Sequence, residues 1–321
     1  MLAWSWIRSV SVRYRYLPCR QIIVAVVIAS SHVCAGQAGP LEDAASAYER
    51  GDIPAALQLW TTLANSGDAA AQIAIGGLYA DGNGVKQSYA DAMNWFRRAA
   101  DQGNARAQFN VGTLYLNGQG VEQSYAQALG WFERAAAQGY SDAQFRLGVM
   151  HAEGRGVPKS DAAAIKWHQL AAEKGHAGAQ YDLALHYAKG RGAARNDKEA
   201  ARWAALAAAQ GHVLAQYNLG ILYSAGRGVA KNETEAAKWY RLAAEQGYVL
   251  AQSSLGLLLQ SGRGVPRDLI DAYMWLGLAS ARGDSKAIAD RDAVAREMTP
   301  EQLAEAQKRV REWKQATKPP R

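Results

Sequence analysis

The sequence predicts an all-α protein, an α/α superhelical solenoid of six 36-residue two-helix repeats with atypical terminal caps. Two series of residues in fixed register carry this prediction. An Ala-Gln pair recurs at Ala71-Gln72, Ala107-Gln108, Ala143-Gln144, Ala179-Gln180, Ala215-Gln216 and Ala251-Gln252. A tryptophan recurs at Trp95, Trp131, Trp167, Trp203, Trp239 and Trp275. Because both series keep a constant spacing of 36 residues, we expect a stacked array of equal units rather than one globular core.

Each repeat is predicted to begin with a helix, called helix A. In the repeat at 105–140, helix A is expected over 105–117, because apolar residues there recur at i, i+4, i+7 and i+8. Those residues are Ala107, Val111, Leu114 and Tyr115. A glycine also recurs in the middle of helix A, as Gly112 here. Since a mid-helix glycine costs about 1 kcal/mol relative to alanine, we expect helix backbones to approach closely at that point.

A Gly-x-Gly turn is predicted to join helix A to a second helix, called helix B. Gly118 can adopt the left-handed conformation that ends a helix without a steric penalty. Helix B is expected over 124–138, ending at Gly139. Its residues spaced for burial are Ala128, Trp131, Phe132, Ala135 and Ala136. We expect the tryptophan to fill the space between neighbouring helices.

The two ends of the array depart from the repeat and are expected to cap it. Residues 36–68 are predicted to hold a short leader over 36–42 and a helical pair over 44–50 and 55–65, with Asp52 as N-cap and Pro54 in the first turn of the second helix. Six repeats follow over 69–284. Residues 285–321 are predicted to hold the C-terminal capping helices and a tail. The predicted helices there cover 284–298 and 300–314, with a capping box at Thr299-Pro300-Glu301-Gln302 and a disordered tail over 315–321.

Residues 1–35 have the three parts of a signal peptide. The segment is basic and has no acidic residue, it contains the apolar run 22–29, and small residues precede a cleavage site expected near Ala35. We therefore expect a periplasmic or secreted protein. An uncleaved anchor is the alternative, in which case membrane contact occurs through this segment alone. A lipoprotein is disfavoured, because Ser31-His32-Val33 before Cys34 is a poor lipobox.

Composition argues against several classes of function. The formal charge of +7 falls to 32 basic against 29 acidic residues, or +3, once the four arginines of residues 1–35 are removed, and no long basic run remains. Binding of nucleic acid is therefore not expected. Both cysteines, Cys19 and Cys34, lie in the predicted signal peptide, so we expect no disulfide or thiolate site in the mature chain. No motif indicates a metal, a cofactor or catalysis.

The repeated motif resembles the Sel-like repeat family. Repeat five shows it well, with Ala215-Gln216-Tyr217-Asn218-Leu219-Gly220-Ile221-Leu222-Tyr223, then Gly226-Arg227-Gly228-Val229 and Ala236-Ala237-Lys238-Trp239. The resemblance implies an α/α solenoid related to the tetratricopeptide repeat, and proteins that serve as adaptors and scaffolds. Three residues depart locally from the pattern, namely His151, Ala184 and Ala193.

One strip of helix A is the candidate partner-binding surface. The position after Ala-Gln holds an aromatic residue in four consecutive repeats, at Phe109, Phe145, Tyr181 and Tyr217. The next position holds polar residues, at Asn110, Arg146, Asp182 and Asn218. In related repeats this part of helix A faces the concave surface. Aromatic anchors with polar neighbours are suited to gripping an extended peptide. The alternative is that the rings are half-buried packing residues and the polar residues a solvated helix face.

We therefore expect a non-catalytic adaptor or scaffold of the bacterial envelope that binds a protein or peptide on helices A. A scaffold that binds cell-wall glycan or polysaccharide is the alternative, because aromatic rings also stack on sugars. A hydrolase is less favoured, since no nucleophile lies in a recognisable elbow. The Gly-x-Gly segments are interpreted as turns and not as phosphate-binding loops, because they lack a third glycine and a P-loop lysine.

Overall fold

In the computed structural model, residues 39–316 are described, and every regular element among them is an α-helix. The first pair comprises α1 (Pro40–Glu49) and α2 (Ile53–Asn65). The prediction that α1 begins at residue 44 after a leader over 36–42 was wrong. Pro40 occupies the first turn of the helix, where its missing N–H leaves no hydrogen bond unmade. Asp52 caps α2 as predicted, since its side chain accepts a hydrogen bond from the Ala55 N–H.

Six pairs of helices follow, and each pair forms one repeat. Repeats 1 to 6 span 69–104, 105–140, 141–176, 177–212, 213–248 and 249–284. Helices A are α3 (Ala69–Asp81), α5 (Ala105–Asn117), α7 (Ser141–Glu153), α9 (Ala177–Lys189), α11 (Val213–Ala225) and α13 (Val249–Ser261). Helices B are α4 (Tyr89–Asp101), α6 (Tyr125–Ala137), α8 (Asp161–Glu173), α10 (Asp197–Ala209), α12 (Glu233–Glu245) and α14 (Leu269–Ser280). Successive helices pack on one another from α1 to α6 and from α7 to α14, and the helix pairs confirm the all-α solenoid.

The Gly-x-Gly turns need both glycines, for different reasons. Gly118 ends helix A with a φ of 66°, as predicted. Gly120 also has a positive φ, and a Cβ there would overlap the backbone of Tyr89 at the start of the preceding helix B. Gly228 stands in the same relation to Asp197. The second glycine therefore allows close contact between consecutive repeats, a role that the sequence did not reveal.

The mid-helix glycine accommodates a side chain of helix B. A Cβ on Gly112 would lie 2.8 Å from Cε1 of Phe132 and 3.2 Å from the carbonyl oxygen of Ala128. We expected two helix backbones to approach closely at this glycine. The closest approach is instead that of the Phe132 ring to the backbone of helix A, and the backbone of helix B at Ala128 is slightly farther away. We call this glycine and the residue facing it the notch pair. The notch pairs are Gly76–Phe96, Gly112–Phe132, Gly148–His168, Ala184–Ala204, Gly220–Tyr240 and Gly256–Leu276, the fourth being its counterpart by position in the repeat.

The tryptophans contribute less uniformly to the core than predicted. Trp131, Trp203 and Trp275 are buried, whereas Trp95, Trp167 and Trp239 are only partly buried. The residue that follows the tryptophan is buried in every repeat, as the second member of the notch pair. The tryptophan was expected to fill the space between neighbouring helices. Trp131, Trp203 and Trp275 do so as buried residues, whereas Trp95 and Trp239 pack against the core from partly exposed positions, because the next residue enters the notch.

The glutamine of the Ala-Gln pair is buried and links consecutive repeats. The Gln180 amide donates to the carbonyl oxygen of Ala172 at the end of the preceding helix B, at 3.1 Å. Its own oxygen accepts a hydrogen bond from Gln210 at 2.8 Å. Burying a polar group without a hydrogen bond costs free energy, so these two hydrogen bonds explain why an amide can recur at a core position.

Two helices close the C-terminal end, α15 (Ser285–Ala295) and α16 (Pro300–Ala316). The prediction of one helix over 284–298 was too long. Asp284 is its N-cap, and the chain turns before Thr299 because a residue preceding proline disfavours helical backbone. The capping box is confirmed by reciprocal hydrogen bonds between Thr299 and Gln302. The disordered tail was predicted to begin at residue 315, but α16 extends to Ala316, and residues 317–321 lie outside the described residues.

The chain divides into two compact units after Tyr140. The first contains α1, α2 and repeats 1 and 2, and the second contains repeats 3 to 6 with α15 and α16. No helix between residues 39 and 316 has the length and hydropathy to cross a bilayer. The predicted signal peptide and cleavage site lie outside the described residues.

Candidate partner-binding surface on helices A

The four aromatic residues of the candidate strip lie on helices A but are not equally accessible. Phe109, Tyr181 and Tyr217 are partly buried, whereas Phe145 is only 3% exposed. Phe109 belongs to the first compact unit and the other three to the second. Phe145 can therefore offer little surface to a partner. Binding by the aromatic strip stays a prediction.

Each of these rings packs on a ring at the turn that leads into the following helix A. The ring centroids are separated by 5.4 Å in Phe109–Tyr140, 4.5 Å in Phe145–His176, 4.7 Å in Tyr181–His212 and 5.0 Å in Tyr217–Tyr248. Three of them also contact the notch residue of their own repeat, at 5.6 Å in Phe109–Phe132, 5.5 Å in Phe145–His168 and 5.6 Å in Tyr217–Tyr240. Aromatic pairs at such separations are stabilising. The rings therefore connect helix A of a repeat to the turn at the end of the same repeat, whether or not they also bind a partner.

The polar residues of the strip are the more accessible part. Asn110, Arg146, Asp182 and Asn218 are all partly exposed. The Asn218 amide donates to the hydroxyl of Tyr181 at 3.5 Å. Tyr217 likewise shares a hydrogen bond with Ser254. At this position, the polar side chains of repeats 5 and 6 are thus hydrogen-bonded to a tyrosine of the preceding repeat, which orients them.

Repeats 3 and 4 contain a histidine cluster that the sequence did not predict. His168 is 1% exposed, and neither ring nitrogen makes a hydrogen bond. Its Nε2 lies 3.8 Å from Oδ2 of Asp182, and its ring is 5.7 Å from that of His186. Burial, together with the nearby histidines 186 and 176, lowers the pKa of His168 to about 3, so the imidazole is neutral at pH 7.

Asp182 is perturbed in the opposite direction. Burial raises the pKa of this carboxyl to about 7, and the charge of Glu153 adds to the effect. Lys189 opposes it. Asp182 therefore changes protonation near neutral pH, unlike an ordinary surface aspartate. Of the candidate strip, it is the residue whose charge depends most on its surroundings.

Two further histidines cap helices. The Nδ1 atoms of His176 and His212 accept hydrogen bonds from the N–H groups of Ala179 and Ala215, at 3.1 and 3.3 Å. An accepting Nδ1 requires the proton on Nε2, and the Nε2 of His176 lies 3.2 Å from Asp142. Burial, followed by the charge of His176, lowers the pKa of His212. Histidine thus caps helix A in repeats 4 and 5, where repeats 1 and 2 use Asp68 and Asn104.

A comparison of repeat positions could have revealed part of this cluster. His168 stands at the position of Phe132 and Tyr240, which are apolar or aromatic core residues. Its burial could therefore be inferred from register. The approach of Asp182 could not, because it joins different helices. Within residues 39–316 no group of three or more histidine, cysteine or acidic side chains is arranged to hold a metal ion.

Comparison with known proteins agrees with this architecture. The family described as Sel1 repeat matches at residues 69–104, 105–140, 141–176, 177–212, 213–248 and 249–284. A search of curated proteins finds no match.

Two solved structures are similar along most of the chain. A Sel1 repeat protein from Oxalobacter formigenes is 33% identical, covers 75% of this chain and 99% of its own, and superposes with a TM-score of 0.70. The protein c5321, a protective antigen of uropathogenic Escherichia coli strains that displays an SLR fold, is 29% identical. That alignment covers 92% of this chain and 71% of the other, with a TM-score of 0.52.

Proposed function

The chain belongs to the Sel1 repeat family, and from that premise we propose that it is a non-catalytic adaptor that binds an extended protein segment along the polar strip of helices A. Proteins of this family generally mediate protein–protein interaction and are typically without catalytic activity. The finer assignment of the strip is supported by its geometry, as follows.

The observation that carries the proposal is a row of different polar side chains on a common rigid base. Arg146, Asp182 and Asn218 occupy one position in three successive repeats of the second compact unit, and all are partly exposed. The neighbouring rings, Phe145, Tyr181 and Tyr217, each pack on a ring at the end of their own repeat, so this surface is ordered before a partner arrives. Preorganisation of this kind reduces the entropy lost on binding. A cation, a carboxyl and an amide in sequence also select among partners.

A peptide suits this strip better than a glycan. Sugar stacking requires an accessible ring face, and Phe145 is buried with its face stacked on His176 at 4.5 Å. Tyr181 is stacked on His212 in the same way. A peptide backbone instead needs donors and acceptors, which asparagine supplies together. The polar row therefore fits the amides of an extended chain.

Site-specific photocrosslinking in cells tests this proposal. A photoreactive amino acid at Arg146, Asp182 or Asn218 should crosslink to a shared protein partner. The same residue at Lys198, an exposed site on helix B, serves as the matched control. Equal crosslinking from Lys198 would show that the strip is not the binding face. The variant R146A/D182A/N218A should lose the same partner while keeping its helical circular dichroism.

We also propose that the adaptor acts in the bacterial envelope after export. The basic, acid-free segment and the apolar run of residues 1–35 support this. Mass spectrometry of the protein from fractionated cells tests it. A mature N-terminus near residue 36 in the periplasmic or extracellular fraction is expected. A full-length N-terminus in the cytoplasmic fraction would contradict export.

A further inference from the structure

Helices B of repeats 1 and 2 carry three exposed arginines that pack on tryptophan rings. Cζ of Arg98 lies 4.5 Å from the ring centroid of Trp95 on the same helix. Two guanidinium groups approach Trp131, with Cζ of Arg134 at 4.5 Å and Cζ of Arg97 at 5.6 Å from its ring centroid. All three arginines are exposed and lie in the first compact unit. We call Arg97, Arg98 and Arg134 the arginine patch.

Two of these guanidinium groups are also held by hydrogen bonds. Nη1 of Arg97 donates to the hydroxyl of Tyr115 at 3.4 Å, and Nη2 of Arg98 donates to the carbonyl oxygen of Ala64 at 3.1 Å. A guanidinium has several further N–H donors, and these remain for solvent or a ligand. The arginine patch is therefore positioned before a ligand arrives, which reduces the entropy lost on binding.

The positive charge of the arginine patch is not neutralised by the described part of the chain. Between residues 39 and 316, all ion pairs of arginines lie beyond residue 140, and none involves the arginine patch. Three exposed acidic residues on the same two helices leave the arginines unpaired; they are Asp91, Asp101 and Glu133. Because two like charges beside the ring of Trp131 repel each other, an anion that contacts both is stabilised there.

Repeats 4 and 5 show how a cation packs on a tryptophan when it is neutralised. Arg202 lies over the ring of Trp203, with its Cζ 4.1 Å from the centroid, and it pairs with Glu199 at 2.9 Å. Lys238 also lies over the tryptophan that follows it and pairs with Glu235 at 3.7 Å. Covering a tryptophan ring therefore does not require a cation without a counter-ion. The unpaired arginines of repeats 1 and 2 need another explanation.

The surroundings of the arginine patch indicate which kind of anion fits it. Residues 39–140 contain ten acidic and six basic residues, and the patch holds three of the six. A long polyanion or an anionic membrane would also meet the surrounding negative charge and be repelled by it. A short acidic segment contacts the patch alone and avoids this repulsion. Arginine, tryptophan and tyrosine are moreover the residues that contribute most to binding energy between proteins.

We propose that the arginine patch binds a short acidic segment of a partner protein, whose carboxylates accept hydrogen bonds from the guanidinium groups. Arginine can bind a carboxylate through two parallel N–H donors, a geometry that lysine lacks. The proposal is independent of the function assigned to helices A, because the patch lies on helices B of repeats 1 and 2. It gives the protein a second and separate interaction surface.

Fluorescence anisotropy with a labelled acidic peptide tests the proposal on the full-length chain. The probe is a decapeptide of alternating glutamate and serine. Saturable binding that weakens with added salt is expected. The variant R97Q/R98Q/R134Q should bind at least about tenfold more weakly, because it removes the charge-assisted hydrogen bonds while glutamine keeps the helix propensity of arginine.

A matched control removes the same number of charges from other helices B. The variant K166Q/R202Q/K238Q lacks three exposed cations of repeats 3 to 5. Two of these, Arg202 and Lys238, are paired with glutamates in the folded protein. This control should bind the peptide like the unchanged protein. A loss equal to that of R97Q/R98Q/R134Q would show that net charge, and not the arginine patch, attracts the peptide, and would overturn the proposal.

A lysine variant separates the geometry of the patch from its charge. R97K/R98K/R134K keeps three positive charges but loses the paired donors, and it should bind about threefold more weakly. Circular dichroism verifies folding, and if the glutamine variant unfolds, the lysine variant decides the test. Unchanged binding by the lysine variant, or no saturable binding to the unchanged protein, would overturn the proposal. So would binding of phosphatidylglycerol vesicles, in place of the peptide, that depends on the same arginines.

Discussion

In repeat 2 the ring of Phe132 fills the notch at Gly112, whereas in repeat 3 the imidazole of His168 fills the same notch at Gly148. The helices around the two sites have equal lengths and the same turns. Phe132 has no polar atom to satisfy, but His168 buries two nitrogens without a hydrogen bond. The backbone of the repeat is therefore the same whichever side chain fills the notch. The stability of a repeat and its dependence on pH differ with that side chain.

Removing the notch side chain should produce the largest difference between the repeats. Phe132→Ala leaves a cavity in a fully buried position and is expected to lower the free energy of unfolding by about 3–5 kcal/mol. His168→Ala should cost less, because it also removes two unsatisfied nitrogens. Urea denaturation followed by circular dichroism measures both. A larger loss for His168→Ala would mean that the imidazole contributes more packing than Phe132.

Filling the notch from the glycine side should cost less. Gly148→Ala places a Cβ against the imidazole and should destabilise by about 1–3 kcal/mol. In repeat 4 both members of the notch pair are alanines, Ala184 and Ala204, so a Cβ on helix A is tolerated when the facing side chain is small. The double variant Gly148→Ala/His168→Ala should therefore be more stable than the sum of the single changes predicts. Strict additivity in a denaturant cycle would contradict the notch as a coupled pair.

Giving repeat 3 the chemistry of repeat 2 should stabilise it slightly. His168→Phe removes two buried, unsatisfied nitrogens while keeping a ring in the notch. An increase of about 1–2 kcal/mol in unfolding free energy is expected at pH 7.5. The matched control is Phe132→His, which should destabilise repeat 2 by a similar amount. If both changes have the same sign, the comparison of the two notches fails.

The smallest expected effect is the change with pH of the difference in stability between His168→Phe and the unchanged protein. The pKa of His168 is lowered in the folded protein, so its neutral form contributes stability above pH 6.5 that is lost as pH falls from 6.5 towards 3. The advantage of His168→Phe should grow by about 1 kcal/mol between pH 7 and 5.5. Asp182, with a raised pKa, acts in the opposite sense and is present in both proteins. Melting temperatures across this range measure this difference, and a constant difference would contradict a neutral buried His168.

Features governed by neighbouring residues in the chain were predictable. Helix A at Ala105–Asn117, the cap at Asp52, the left-handed Gly118 and the Thr299 capping box all follow from short-range backbone chemistry. Predictions failed where a choice between adjacent residues was needed. Trp131 and Phe132 both lie towards the core side of helix B, and their sequence cannot say which of them enters the notch. That depends on how the facing helix A is placed.

The candidate strip was also predictable in its local features and not in its contacts with other helices. Its residues could be located on helices A from register, but the packing of Phe145 on His176, at the far end of the same repeat, was not foreseen. The burial of Leu278 was equally hidden, because a helix more than twenty residues later covers it. Leu242 at the same position of repeat 5 is exposed, so exposed and buried leucines look alike in the repeat.

The sequence by itself determined the 36-residue frame, the two helices of each repeat and the turns between them. These follow from hydrophobic period, caps and glycines with positive φ, which act within a few residues. Only the tertiary structure decided which ring occupies each notch, which histidine is left without a hydrogen bond, and which leucines remain exposed. Those properties depend on distances between helices that are far apart in the chain, and no local preference encodes them.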